Sequence, residues 1–256
     1  MKPMTKLLVA PFALLACAYV AFCFYLWFAQ RSYIYYPTGR IAGVPSFVLQ
    51  RGNADLVVSM NAAERRDAVL YFGGNAEDVS ESIAQLSAAF PDADIYAMHY
   101  RGYGGSTGRP SESALVADGF ALYDRIANSH RAVTIVGRSL GSGVAVQVAA
   151  DRPVERLVLV TPYHSIVELA AQHFSLFPVK LLLRDRYESW RYAGNLKVPV
   201  TLIVAGNDQV IPAESSSKLA RSFPEGQARV VVIPGADHND VSDFPEYAAA
   251  LRGPTR

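Results

Sequence analysis

Beyond residue 66 the chain alternates brief apolar runs with longer amphipathic ones. Residues 68–72, 94–100, 133–137, 157–160, 200–204 and 229–233 are short, rich in β-branched side chains and lack polar alternation. Sheet positions buried on both faces require that composition. Between them, residues 77–90, 111–128, 140–151 and 213–223 carry helical spacing. Strand followed by helix, repeated in this way, predicts a mostly parallel central sheet with helices on both faces. Residues 30–66 add one or two short strands, around 47–50 and 56–60. The interval 161–198 is longer than the others and contains Phe174-Ser175-Leu176-Phe177-Pro178 and Leu181-Leu182-Leu183. Two readings fit it: a small helical cap over the strand ends, spanning 162–198, or ordinary packing helices with no lid role.

The amino-terminal pattern is of another kind. From Leu7 to Ala29, 23 residues carry no charge, with Lys2 and Lys6 just ahead; about 20 suffice to cross a hydrocarbon core as a helix. Trp27, Tyr33, Tyr35 and Tyr36 gather at the far end, where amphipathic rings favour the headgroup layer. Ala16-Cys17-Ala18 resembles a signal-peptidase site, and Leu14-Leu15-Ala16-Cys17 a lipoprotein box. Either cut would leave the apolar stub 19–29 on the product, which argues for an uncleaved single-pass anchor. Two lysines and the amino terminus precede the span, while Arg31 and Arg40 follow more sparsely. The balance leans slightly toward an internal N-terminus and an exported domain. The chain thus divides into an anchor (1–30), a juxtamembrane segment with the first strands (31–66) and a catalytic domain (67–256).

Length and charge narrow the picture further. What remains of the 256 residues after the anchor suits one α/β domain. The formal net charge is +1 and there is no run of lysine or arginine, so nucleic acid is not an expected partner. Both cysteines, Cys17 and Cys23, lie inside the apolar run. A disulfide framework, a thiolate zinc site and a cysteine nucleophile are therefore excluded from the globular part.

Candidate chemistry centres on Gly137-Arg138-Ser139-Leu140-Gly141. Gly-x-Ser-x-Gly alone is weak, but here it follows a strand-like run and opens a helix-like one. A serine there sits on a tight strand-to-helix turn with its hydroxyl raised above the sheet. That hydroxyl needs a base. Of the five histidines, His238 falls just beyond the last strand-like run, in Ala236-Asp237-His238-Asn239-Asp240, on a loop at a strand's carboxyl end. His99 reads as core or loop support, His130 as a surface connection, and His164 and His173 as members of the 161–198 segment that could touch substrate. The third member must be a carboxylate that fixes the imidazole tautomer. Asp208, one loop past residues 200–204, takes that role, while Asp237 and Asp240 read as loop or capping residues. An oxyanion needs fixed backbone donors. The Leu140 amide is one candidate and the Asn75 amide, in Phe72-Gly73-Gly74-Asn75-Ala76, the other.

These pieces, together with Tyr100-Arg101-Gly102-Tyr103-Gly104-Gly105-Ser106, make the chain resemble α/β hydrolases of the short-cap, membrane-anchored branch that includes depalmitoylating thioesterases and lysophospholipases. The resemblance runs from Leu70 to Asn239. It implies the α/β-hydrolase fold, a structural role for residues 100–106, and Arg101 as a brace between loops. Many relatives carry His-Gly where this chain has Gly73-Gly74, so a side chain that supports the oxyanion loop is missing. The expected activity is cleavage of a carboxylic ester or thioester through an acyl-enzyme, on a small acyl or lipid-like substrate, with water as co-substrate and no metal or organic cofactor. A serine peptidase of the same chemistry and a non-catalytic membrane-bound scaffold are the alternatives.

Overall fold

The computed structural model describes residues 3–61 and 64–253. Eight strands form one sheet: β1 (Ser46–Arg51), β2 (Ala54–Met60), β3 (Asp67–Phe72), β4 (Ala93–Met98), β5 (Ala132–Arg138), β6 (Arg156–Val160), β7 (Val200–Ala205) and β8 (Ala228–Ile233). Their order is β1-β2-β4-β3-β5-β6-β7-β8. β2 runs antiparallel to both of its neighbours, and every other pairing is parallel. The helices are α1 (Pro3–Ile34), α2 (Ser82–Ala89), α3 (Glu112–Ala127), α4 (Leu140–Asp151), α5 (Ile166–His173), α6 (Val179–Leu182), α7 (Trp190–Ala193), α8 (Ala213–Ala220) and α9 (Pro245–Arg252).

Alternate residues of the inner strands feed two cores. Leu70 and Phe72 of β3 pack with Leu115 and Leu122 of α3, Val144 of α4 and Leu219 of α8. Val69 and Tyr71 pack on the opposite face with Ile83 and Leu86 of α2 and Tyr247 and Leu251 of α9. Burying such an aliphatic side chain contributes about 1.5–3 kcal/mol, which is why these runs show no polar alternation. Parallel register then brings strand ends level: Phe72 lies opposite Gly137 and Arg138 opposite Val160. The loops that follow β3, β5, β6, β7 and β8 share one carboxyl edge, where sheets of this kind bind ligands.

Three features depart from the pattern-based expectation. β8 is an edge strand, and Val230 and Val232 remain about half exposed (46% and 54%); a run of valines does not disclose whether both faces are covered. α9 was not foreseen, being short, alanine-rich and anchored by only Tyr247, Ala250 and Leu251. α1 continues past residue 30 to Ile34, and its stretch Pro11–Ile34 is 24 residues long and apolar enough to cross a membrane. At 1.5 Å per residue that stretch is about 36 Å long, against a hydrocarbon core of about 30 Å.

Candidate active site

Ser139 stands alone between the end of β5 and the start of α4. Its backbone is held at φ +47° and ψ −118°, a left-handed conformation that costs an L-residue about 1–3 kcal/mol and persists only where surrounding structure enforces it. The enforcement is packing around Gly141: a Cβ there would lie 2.1 Å from the Phe72 carbonyl oxygen and 2.5 Å from that of Gly73. Only glycine lets β3 and the first turn of α4 come that close. The Ser139 amide donates to the Val160 carbonyl, pinning the turn to β6.

The structure brings the three predicted side chains together. His238 Nε2 lies 2.9 Å from Ser139 Oγ, and its Nδ1 lies 2.8 Å from Asp208 Oδ2. Asp208 is fixed from its other oxygen, which accepts the amides of Val210 (2.9 Å) and Ile211 (2.7 Å). With Asp208 seated on the loop after β7 and His238 on the loop after β8, the three members come from separate strand ends. Asp237 and Asp240 turn away from the imidazole. Asp237 Oδ1 accepts the amides of Gln209 and His238, and Asp240 Oδ1 accepts that of Asp237. They hold the histidine loop in shape against the aspartate loop.

The Gly73–Asn75 loop lies beside the serine, since a Cβ on Gly74 would come 3.5 Å from Ser139 Cβ. The Gly74 amide is already taken, donating 2.6 Å to Glu77 Oε2. Among the described residues no hydrogen bond engages the Asn75 amide. The Asn75 side chain is tied down instead, its Oδ1 accepting from the Tyr36 amide, the Ala76 amide and the Tyr103 hydroxyl at 2.9–3.0 Å.

Glu77 is a residue that sequence reasoning missed. Besides Gly74, it accepts the Tyr71 hydroxyl (2.6 Å) and the Ser82 hydroxyl (2.8 Å), and Arg138 Nη1 approaches to 3.7 Å. Burial pushes the Tyr71 phenol well above its ordinary pKa, so it stays a donor. Arg138, the variable residue before Ser139, also donates to the carbonyls of His238 and Asn239. Loops after β3, β5 and β8 are thus joined through one carboxylate and one guanidinium. An isolated Glu in a glycine-rich loop carries no spacing signal that could have found it. The absent His of the His-Gly pattern has replacements too: Tyr100 donates to the Gly73 carbonyl at 2.8 Å, and Tyr103 holds Asn75.

Residues 67–189 match the family model described as alpha/beta hydrolase fold. An uncharacterized protein of Mycobacterium tuberculosis is 35% identical over 251 residues, which covers 91% of this chain and 87% of that protein. The chain belongs to the α/β-hydrolase family. The alpha/beta hydrolase domain-containing protein aho-3 of Caenorhabditis elegans is 27% identical over 192 residues, 72% of this chain and 56% of its own. Among solved structures, Est1E from Butyrivibrio proteoclasticus, crystallised with ferulic acid, superposes with a TM-score of 0.67. It covers 80% of this chain and 96% of its own at 13% identity, a likeness of fold alone.

The remaining histidines of this α/β hydrolase stand apart from the triad geometry. His99 is buried, with Nε2 2.8 Å from Ser59 Oγ. His130, expected at the surface, tucks its ring between the Ile126 carbonyl and the Asp94 carboxylate (3.3 Å). His164 stacks on Trp190 and contacts Glu168 at 3.0 Å. His173, in the last turn of α5, is exposed. Arg101 forms a two-pronged pair with buried Asp118 at 2.7 and 2.8 Å, bracing its loop against α3.

Proposed function

We propose that this α/β hydrolase cleaves carboxylic ester or thioester bonds, with Ser139 as nucleophile, His238 as its base and Asp208 as the carboxylate that orients the imidazole. The observation that carries the reading is the unbroken chain Asp208 Oδ2, His238 Nδ1, His238 Nε2, Ser139 Oγ, with links of 2.8 and 2.9 Å. As Ser139 Oγ adds to the acyl carbonyl, its proton passes to His238 Nε2 and the carbonyl oxygen becomes an oxyanion. The amides of Leu140 and Asn75 are the proposed donors to it, and each such donor is typically worth about 3 kcal/mol. The positive end of α4 adds to that field. Collapse of the intermediate expels the alkoxide or thiolate, which takes the proton from His238. Water, deprotonated by the same ring, then releases the carboxylic acid and restores Ser139.

The membrane is part of the proposal. α1 exposes Phe12, Leu14, Leu15, Phe24 and Phe28, a surface suited to lipid, and the reading adopted is a single-pass anchor that carries the hydrolase at the bilayer. The segment 162–198, with α5 to α7, serves as the cap. Acylated or lipid-like molecules follow as the substrate class.

The test uses the full chain in detergent micelles with a fluorophosphonate probe. Wild type is expected to label covalently, and Ser139→Ala to label at least 100-fold more slowly. Equal labelling of the two would falsify the assignment.

A further inference from the structure

Outside α1, no large apolar side chain among the described residues is more exposed than Leu176 (82%) and Leu181 (85%). Leu176 lies in the turn that joins α5 to α6, and Leu181 lies on α6. We propose that this tip, residues 174–183, is sunk in the hydrocarbon of the leaflet through which α1 reaches the domain. The proposal rests on the reading of α1 as an uncleaved membrane anchor, and it adds a second, monotopic contact with the same bilayer.

The position of the tip along α1 fixes its depth. The Tyr19 hydroxyl donates to the Leu176 carbonyl at 3.0 Å, and the Tyr19 ring stacks on Phe177 with centroids 5.7 Å apart. Phe22 meets the Phe177 ring as well. The uncharged run, Leu7 to Ala29, is 23 residues long, and a hydrocarbon core of about 30 Å takes up about 20 of them. Wherever that window is placed, its edge nearer the domain falls between Leu26 and Ala29. Tyr19 then lies ~10–15 Å inside that edge at about 1.5 Å per residue, and Leu176 and Phe177 lie there with it.

Polarity changes along the cap at the same level as along the helix. Opposite Tyr19 and Phe22 the tip is apolar: from Phe174 to Val179 the only polar side chain is Ser175. Opposite Trp27 to Arg31 the cap turns polar. Arg184 lies over the Trp27 ring at 5.2 Å, Gln30 bonds the Leu182 carbonyl and the Arg184 amide, and Arg31 pairs with Asp185. A guanidinium over an indole, beside an ion pair, suits the headgroup layer. Lys180 is the one charged residue of the tip. Arg186 donates to its carbonyl at 2.7 Å, which draws it toward that polar level, and its long stem lets the ammonium reach water.

The backbone of the tip is also provided for, as hydrocarbon requires. The amides of Phe174, Phe177 and Val179 donate to the carbonyls of Ala170, Phe174 and Phe177, and those of Leu181 and Leu182 share the Pro178 carbonyl. Pro178 itself has no amide to satisfy. The Leu176 carbonyl is served by the Tyr19 hydroxyl, from the helix that crosses the membrane beside it. In water, two leucines displayed in this way are a liability; in a leaflet they are solvated.

The experiment uses the full chain, with Cys17→Ala and Cys23→Ala, in phosphatidylcholine nanodiscs. Single cysteines replace Leu176, Val20 or Lys197 in turn and carry a nitroxide. Electron paramagnetic resonance then reads its collisions with oxygen and with a water-soluble nickel chelate. Val20 is half exposed on α1 beside Tyr19, and Lys197 is an exposed residue of the domain. The Leu176 label is expected at the depth of the Val20 label, ~10–15 Å, with nickel contact about tenfold or more below that of Lys197. A Leu176 label as open to nickel as that on Lys197, with Val20 deep, overturns the proposal and keeps the anchor. A Val20 label open to nickel removes the anchor reading and this proposal with it. A Leu176 label shut off from oxygen and nickel alike means that protein, such as a second copy of the chain, covers the tip, and overturns it too. Circular dichroism reports whether each variant keeps the wild-type fold, and Leu181 replaces Leu176 where it does not.

Discussion

His99 and His238 are both almost fully enclosed, yet their neighbours prepare them for different work. His238 has a carboxylate on one nitrogen and a hydroxyl on the other, the setting on which its proposed role as base rests. His99 has the Ser59 hydroxyl at Nε2, and burial, outweighing the pull of the Asp78 charge, lowers its pKa to about 4. In the unfolded chain the same ring titrates near 6.5. Between those values the unfolded state binds the extra proton, so stability is intact above about pH 6.5 and drains away as pH falls toward 4. The expected loss from this group between pH 7 and pH 5 is about 2 kcal/mol. Urea midpoints measured at pH 7, 6 and 5 should fall in wild type and fall less in His99→Gln. A variant as pH-sensitive as wild type would show that another group is responsible. Reading His99 as loop or core support needed only its place in a strand-like run. The burial of His130 was not legible, because its partner Asp94 lies 36 positions away on β4.

At the scale of the element, the turn between β5 and α4 stores strain that the glycine spacing already advertised. A glycine two residues after the serine signals close approach of another backbone, and that backbone is the end of β3. The strain itself is measurable. Ser139→Ala and Ser139→Gly both remove the proposed nucleophile, but only glycine adopts φ +47° without penalty. Relief of about 1–3 kcal/mol, less about 0.4–1 kcal/mol for the extra freedom glycine gives the unfolded chain, leaves Ser139→Gly about 1 kcal/mol more stable than Ser139→Ala. Equilibrium unfolding of the two variants tests this, and equal midpoints would mean the turn is relaxed. The elements most legible in the sequence were those buried on both sides, β3, β5, β6 and β7, because desolvation alone dictates their composition. Less legible were β8, whose exposed valines look like core, and the loop of Glu77, whose function emerges only when Gly74, Tyr71 and Arg138 converge on it.

For the molecule as a whole, the decisive contacts join residues about 150 positions apart, which no local pattern reveals. Asp185 sits between Arg31 and Tyr35 at the end of α1, and Tyr35 also meets the Tyr187 hydroxyl at 2.9 Å. Burial and the Asp185 charge hold the Tyr35 phenol far above its usual range, so it remains protonated and donating. Removing the carboxylate orphans both partners. Asp185→Ala is expected to cost about 2–3 kcal/mol, less than a fully enclosed pair because Arg31 reaches solvent. It should also free the cap from α1. In nanodiscs, limited trypsin digestion should then cut at Arg184, Arg186 or Arg191 faster than in wild type. A cap as resistant as before would place its stability elsewhere.

The link from the last turn of α1 to Asn75 is only two residues long. The end of the hydrophobic helix is thus tied directly to the loop nearest the serine. On the proposed reading, turnover should therefore differ between lipid nanodiscs and detergent micelles.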